Sequence, residues 1–267
     1  MNGIYFLNHY HLQNSTIYGL YPRESIIILE ELSSTNDYLK LLLSNIKPLY
    51  QGTAIMAMHQ TRGKGQRGNK WRSTPNENLM CSIPLFPKNI GIEKAFNLSI
   101  LISLATHSWL SKYVSNVQVK WPNDIYVGNK KIAGILIENQ LIGTRIRSCI
   151  IGIGVNINQT VFSPEMENKT TSLKLLTGCE KNYNLVSCCK ELQTEIMLFY
   201  QYLDLTLDEV LLDKYNALLY RKNKSAFYKV QGEIKEGTII RVAPNGQLII
   251  KFGQQKATFD LKEVQFL

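Results

Sequence analysis

Three features of this sequence predict an α+β fold, with a mixed, mostly antiparallel central sheet flanked by helices and a small β-rich module after it. Apolar runs of strand length are joined by short turns such as Gly128-Asn129 and Gly143-Thr144, which suit antiparallel neighbours rather than a doubly wound sheet. Longer stretches with helical periodicity, Ile92 to Val114 and Leu185 to Leu203, alternate with these runs. After Arg221-Lys222-Asn223-Lys224 the texture changes to short alternating strands. A length of 267 residues with 45% hydrophobic content accommodates one large domain and a small module.

Taken in order, Ser25 to Leu32 reads as a strand that ends in the polar cluster Ser33-Ser34-Thr35-Asn36-Asp37. Such residues favour helix N-caps because their side chains accept the free N–H groups of the first turn, and Tyr38 to Leu43 continues at helical spacing. Ala54 to Met58 and Asn78 to Leu85 are further strands, and Ile92 to Val114 is a long core helix. Val117 to Lys120 re-enters the sheet, Pro122-Asn123-Asp124 is a turn, and Ile132 to Ile142 with Arg145 to Ile157 forms a long hairpin. Val161 to Thr170 is expected to be loop, Thr171 to Leu176 a short helix, and Leu185 to Leu203 and Leu207 to Leu219 helices. Short strands follow at Phe227 to Val230, Gly237 to Val242, Gln247 to Phe252 and Ala257 to Leu261, with Pro244-Asn245-Gly246 as a hairpin turn.

Two stretches carry the chemistry. Gln60 to Trp71 packs three glycines, four cations and an indole into twelve residues directly after a strand. Glycines let the backbone approach a ligand, the cations neutralise an anion, and Trp71 offers a flat face to a ring, so the loop suits a nucleotide. Its spacing is neither that of the P-loop nor the dinucleotide fingerprint, and from pattern alone a solvated basic connection is the better reading. The second stretch, Lys120 to Glu138, places Lys120, Asn123, Lys130 and Lys131 at strand ends.

With both stretches in view the chain resembles the biotin protein ligases. The resemblance rests on Ser34-Thr35-Asn36, the Gln60 to Trp71 loop, Lys120-Trp121-Pro122-Asn123-Asp124, Lys131-Ile132-Ala133-Gly134 and Gly152-Ile153-Gly154-Val155-Asn156, in matching order and spacing. It implies the biotin/lipoate ligase fold, akin to class II synthetases, with a catalytic domain over 1–222 and an SH3-like barrel over 223–267. It also implies an enzyme that activates biotin with ATP and Mg²⁺ to biotinyl-5′-AMP, then transfers biotin to a lysine of a biotin carboxyl carrier protein domain.

By the same resemblance Ser34, Thr35, Asn36, Gln60, Lys64, Gly65, Gln66, Lys131 and Gly134 line the biotin end. Arg67, Trp71, Lys120, Asn123 and Asn156 serve ATP and the adenylate. Lys131, then Lys64, are the first choices for holding carboxylate and phosphate together. On spacing alone Lys131 is a solvated cation beside a hairpin turn, and Asn123 and Asn156 equally satisfy turn or strand-end backbone. The family loop reads close to Gly-Arg-Gly-Arg-x-Gly-Arg; here Lys64, Gln66 and Asn69 stand at the arginine positions, which puts retention of the adenylate in doubt.

The net charge of +9 is compatible with nucleic acid, but the cations are spread along the chain and no helix-turn-helix precedes Ser25, so the resemblance is to the short form without a DNA-binding domain. The five cysteines lack CxxC spacing, and neither they nor the four histidines form a metal-ligand pattern. Without a basic-then-apolar leader or a span of bilayer length, a cytoplasmic protein is expected. Exposed sheet edges leave a homodimer open. A lipoate ligase, a nucleic-acid-binding module and an inactive biotin-binding scaffold stand as alternatives.

Overall fold

The computed structural model describes residues 4–7, 25–45, 49–203 and 208–267. Its strands are β1 (Ile4–Leu7), β2 (Ile26–Leu32), β3 (Ala54–Gln60), β4 (Asn78–Leu85), β5 (Val117–Lys120), β6 (Asp124–Val127), β7 (Lys130–Ile142) and β8 (Arg145–Asn156), which make one sheet. The second sheet holds β9 (Ser225–Val230), β10 (Glu233–Val242), β11 (Leu248–Phe252), β12 (Gln255–Phe259) and β13 (Val264–Phe266). The helices are α1 (Thr35–Asn45), α2 (Ala95–Leu110), α3 (Pro164–Glu167), α4 (Leu173–Thr177), α5 (Leu185–Tyr200) and α6 (Asp208–Ala217).

The first sheet runs β1-β2-β3-β4-β8-β7-β6-β5. Its ladders are parallel in β1–β2 and β2–β3 and antiparallel elsewhere, so the mixed, mostly antiparallel sheet is as expected. Side chains alternate between faces along a strand. Ile26 and Ile28 therefore enter the large core with α2 and α5, while Ile27 and Leu29 meet Leu39 and Leu42 of α1 on the opposite face. Burial on both faces explains the unbroken apolar run Ile26 to Leu29, after which Glu30 and Glu31 are exposed.

Strand β8 uses the same alternation differently. Ile151, Ile153 and Val155 point into the large core, whereas Gly152 and Gly154 lie on the α1 face, beside Gly134 and Leu136 of β7. Here the sheet presents bare backbone, and this is the floor of the candidate site.

The expected long helix begins as a 3₁₀ turn at Ile92–Lys94 and becomes α-helical only from Ala95. The expected loop at 161–170 contains the single turn α3, with Pro164 at its start, where proline's missing N–H costs nothing. Strands β1 and β13 were not foreseen. The second sheet runs β12-β11-β10-β9-β13, and among the described residues no ladder joins its two edges into a barrel. Of residues 1–24, from which a leader and a DNA-binding arm were judged absent, only Ile4–Leu7 are described. No helix among the described residues is long and apolar enough to cross a membrane.

Candidate active site

A cavity of about 410 Å³ lies on the α1 face of the first sheet. The N-terminus of α1 brings Ser34, Thr35 and Asn36, the end of β3 brings Gln60, and the following loop brings Lys64, Gly65, Gln66, Asn69, Lys70 and Trp71. Asn123, Asp124, Lys131 and Gly134 enter from β6 and β7, and Gly152 and Gly154 from β8. Eleven of the fourteen residues expected at the site thus meet in one cavity.

One end is neutral and polar. The Thr35 backbone N–H donates to Gln60 Oε1 at 2.7 Å, and the Thr35 hydroxyl lies 3.1 Å from the same oxygen. The buried Ser82 hydroxyl lies 2.7 Å from Thr35 Oγ1 and 2.5 Å from Asn36 Oδ1. Asn36 Nδ2 donates to Glu138 Oε2 at 2.7 Å. The amide fits because the residue beneath it is glycine; a Cβ on Gly152 would overlap Asn36 Oδ1.

The other end is charged. Lys131 Nζ is 2.6 Å from Asp124 Oδ1 and 5.7 Å from the centroid of a Trp71 ring. Its backbone is fixed by N–H donation to Lys169 O at 2.8 Å and by acceptance from Thr171 N–H at 2.9 Å. Lys64 also lines the cavity, with Nζ 2.6 Å from Asp37 Oδ1. The glycine-rich loop is tied back on itself through Gly65 N–H to Asn69 O at 2.7 Å and Trp71 N–H to Gly63 O at 3.0 Å. Trp71 lies flat against Gly154 and beside Gly134, so the group these glycines admit here is the indole.

Two expected residues are placed otherwise, and the side chain of a third is not among those described. Lys120 is outside the lining; its Nζ donates to Tyr126 Oη at 2.9 Å and lies 5.1 Å from the Phe266 ring centroid, linking the two sheets. Burial holds its ammonium below the usual lysine range, partly offset by Asp124, with Lys131 and Arg221 pushing it lower. Asn156 Nδ2 donates to Thr171 O at 3.0 Å, a strand-end role outside the lining. Arg67 sits in the 3₁₀ turn Gln66–Gly68, and its side chain is outside the described residues. Asn123 lines the cavity while its amide donates to Ile135 O, so it also pins the turn to β7.

The structure adds Asp124, Leu261 and Lys262 to the lining and Ser82 and Glu138 behind it. Sequence reasoning missed Ser82, whose one signal is that it is the lone hydroxyl in an apolar strand. Lys262, which carries a positive φ of 80°, comes from the turn between β12 and β13, and no local pattern pointed to it.

No group of three or more potential ligands for a metal is found among the described residues. Asp124 is nevertheless a hard oxygen donor in a cation-rich cavity, and one carboxylate with nucleotide phosphates fits the way Mg²⁺ is commonly held.

Residues 28–156 match the Biotin/lipoate A/B protein ligase family. The bifunctional ligase/repressor BirA of Bacillus subtilis is 35% identical over 158 residues, 58% of this chain and 48% of that protein. The biotin--[acetyl-CoA-carboxylase] ligase of Paracoccus denitrificans is 33% identical over 135 residues, 49% of this chain and 53% of that protein. The chain thus spans about half the length of these relatives. The biotin protein ligase of Aquifex aeolicus in complex with biotin and ATP superimposes with a TM-score of 0.74 at 25% identity, covering 90% of this chain and 97% of that one. The chain carries, over residues 28–156, a domain of the biotin/lipoate A/B protein ligase family.

Proposed function

We propose that this protein is an ATP-dependent biotin protein ligase. The observation that carries the reading is the make-up of one cavity: neutral hydrogen-bonding groups of Thr35, Asn36 and Gln60 share it with the cations of Lys131, Lys64 and Lys70. A cyclic urea needs donors and acceptors without net charge, while a carboxylate and an α-phosphate must be held together against their repulsion. The likeness to a ligase solved with biotin and ATP supports this assignment.

In the first step a biotin carboxylate oxygen attacks the α-phosphorus, the bond to the β-phosphate bridging oxygen breaks, and pyrophosphate leaves. Lys131, oriented by Asp124, stabilises the charge that accumulates between the reactants. Mg²⁺ bound to the phosphates, with Asp124 as its protein carboxylate, would supply further neutralisation. In the second step a lysine amine of a biotin carboxyl carrier domain attacks the anhydride carbonyl and AMP departs, with proximity as the main source of acceleration.

The test is exchange of labelled pyrophosphate into ATP with biotin, lipoate or octanoate as the acid. Exchange with biotin alone is expected. Exchange with lipoate or octanoate instead would reassign the substrate, and no exchange with any acid would remove the ligase reading.

A further inference from the structure

We propose that Glu138 is a positioning residue that fixes the hydrogen-bonding polarity of the cavity's neutral end; the inference rests on the biotin reading of that end. Thr35 and Asn36 line the cavity, whereas Glu138 and Ser82 stand behind them. A carboxylate oxygen accepts, so the atom Asn36 turns toward Glu138 Oε2, 2.7 Å away, is Nδ2. Oδ1 then faces the opposite way, over the bare backbone of Gly152 and 2.5 Å from Ser82 Oγ.

The direction propagates. An amide oxygen only accepts, so Asn36 Oδ1 draws the Ser82 hydroxyl hydrogen toward itself, in competition with Thr35 Oγ1. The same hydroxyl lies 2.7 Å from Thr35 Oγ1, which accepts from it, and the Thr35 hydroxyl donates on to Gln60 Oε1 at 3.1 Å. Ser82, Asn36 and Thr35 are all buried, so solvent does not substitute for a missing partner. Four side chains from α1, β4 and β7 thus hold one donor pattern, set at its start by the one member that cannot donate.

Without the carboxylate, the Asn36 amide has no reason to keep this orientation. A turned amide would offer its NH₂ to Ser82 and leave the Ser82 hydrogen to Thr35 alone, so the wall facing the ligand would present a mixture of donors and acceptors. A cyclic urea, with its carbonyl and N–H groups fixed in one plane, then meets the right pattern only part of the time, and its apparent affinity falls in proportion. The charged end of the cavity does not share these bonds.

The experiment measures KM for biotin and for ATP, with kcat, in biotin-dependent pyrophosphate exchange by the wild-type protein, Glu138→Leu, Glu138→Gln and Ser82→Ala. Glu138→Leu is expected to raise KM for biotin about tenfold with KM for ATP unchanged, a typical effect of losing one buried hydrogen-bond partner. Glu138→Gln, whose amide oxygen still accepts from Asn36, should stay within about threefold of wild type. Ser82→Ala should resemble Glu138→Leu, and the double variant should be no worse than either alone. An unchanged KM for biotin in Glu138→Leu, an equal rise for both substrates, or a Glu138→Gln as impaired as Glu138→Leu would overturn the proposal while wild-type exchange leaves the ligase reading standing. Absence of wild-type exchange with biotin would overturn both.

Discussion

The indole of Trp71 rests on Gly154, so closely that a Cβ there would stand 2.6 Å from Trp71 Cζ2. Gly154 pairs with Gly134 across β8 and β7, and together they leave a flat strip that the tryptophan covers. The glycine-rich loop is thereby anchored to the sheet at its C-terminal end, with Lys131 beside the ring. Gly154→Ala should dislodge this anchor at a cost of about 1–3 kcal/mol, the usual penalty for overpacking a rigid neighbour. Urea denaturation checks this, and the penalty should vanish in a Trp71→Ala background.

Lys131→Ala should lower pyrophosphate exchange by at least about a hundredfold, as loss of a main charge-stabilising donor does. Its backbone bonds to Lys169 and Thr171 remain, so circular dichroism and the unfolding midpoint should stay near wild type. Near-normal turnover would remove Lys131 from the mechanism.

Gln66 lines the cavity where the family loop carries an arginine. A guanidinium grips a phosphate or carboxylate through a two-pronged contact that an amide cannot make. Gln66→Arg should therefore slow release of the adenylate, by about tenfold if one charge-assisted bond is gained. Chase with unlabelled ligand after single-turnover synthesis measures the release rate.

His107, in the last turn of α2, is held below its ordinary value of 6.5 chiefly by burial, against a smaller upward pull from its backbone hydrogen bond at Val117. The unfolded chain therefore binds a proton before the folded one. Stability should fall as pH drops below about 6.5 and level off once the folded histidine also protonates. His107→Gln should flatten this part of the profile in urea titrations between neutral and mildly acidic pH.

The layers and the cavity were legible in the sequence to different depths. Strand β4 was readable because Leu79 to Leu85 is apolar apart from Ser82, and α1 because the polar cluster Ser34, Thr35 and Asn36 opens a helical pattern. The link between Asn36 and Glu138 was not, since it joins residues 102 positions apart that meet only when β4 and β7 flank β8. Lys262 reaches the cavity only because the second sheet abuts the first. Lys120 was drawn toward the nucleotide by its place in the motif, yet register puts its ammonium against Tyr126 and the edge of the second sheet. Strand β13, three residues long, is too short to show a period.

The most direct measurement is mass spectrometry of an isolated biotin carboxyl carrier domain after incubation with this protein, biotin, ATP and Mg²⁺. The account predicts addition of a single biotinyl group to one lysine, dependent on ATP and lost with Lys131→Ala. A carrier that stays unmodified under these conditions, or that takes up lipoate in place of biotin, would contradict it.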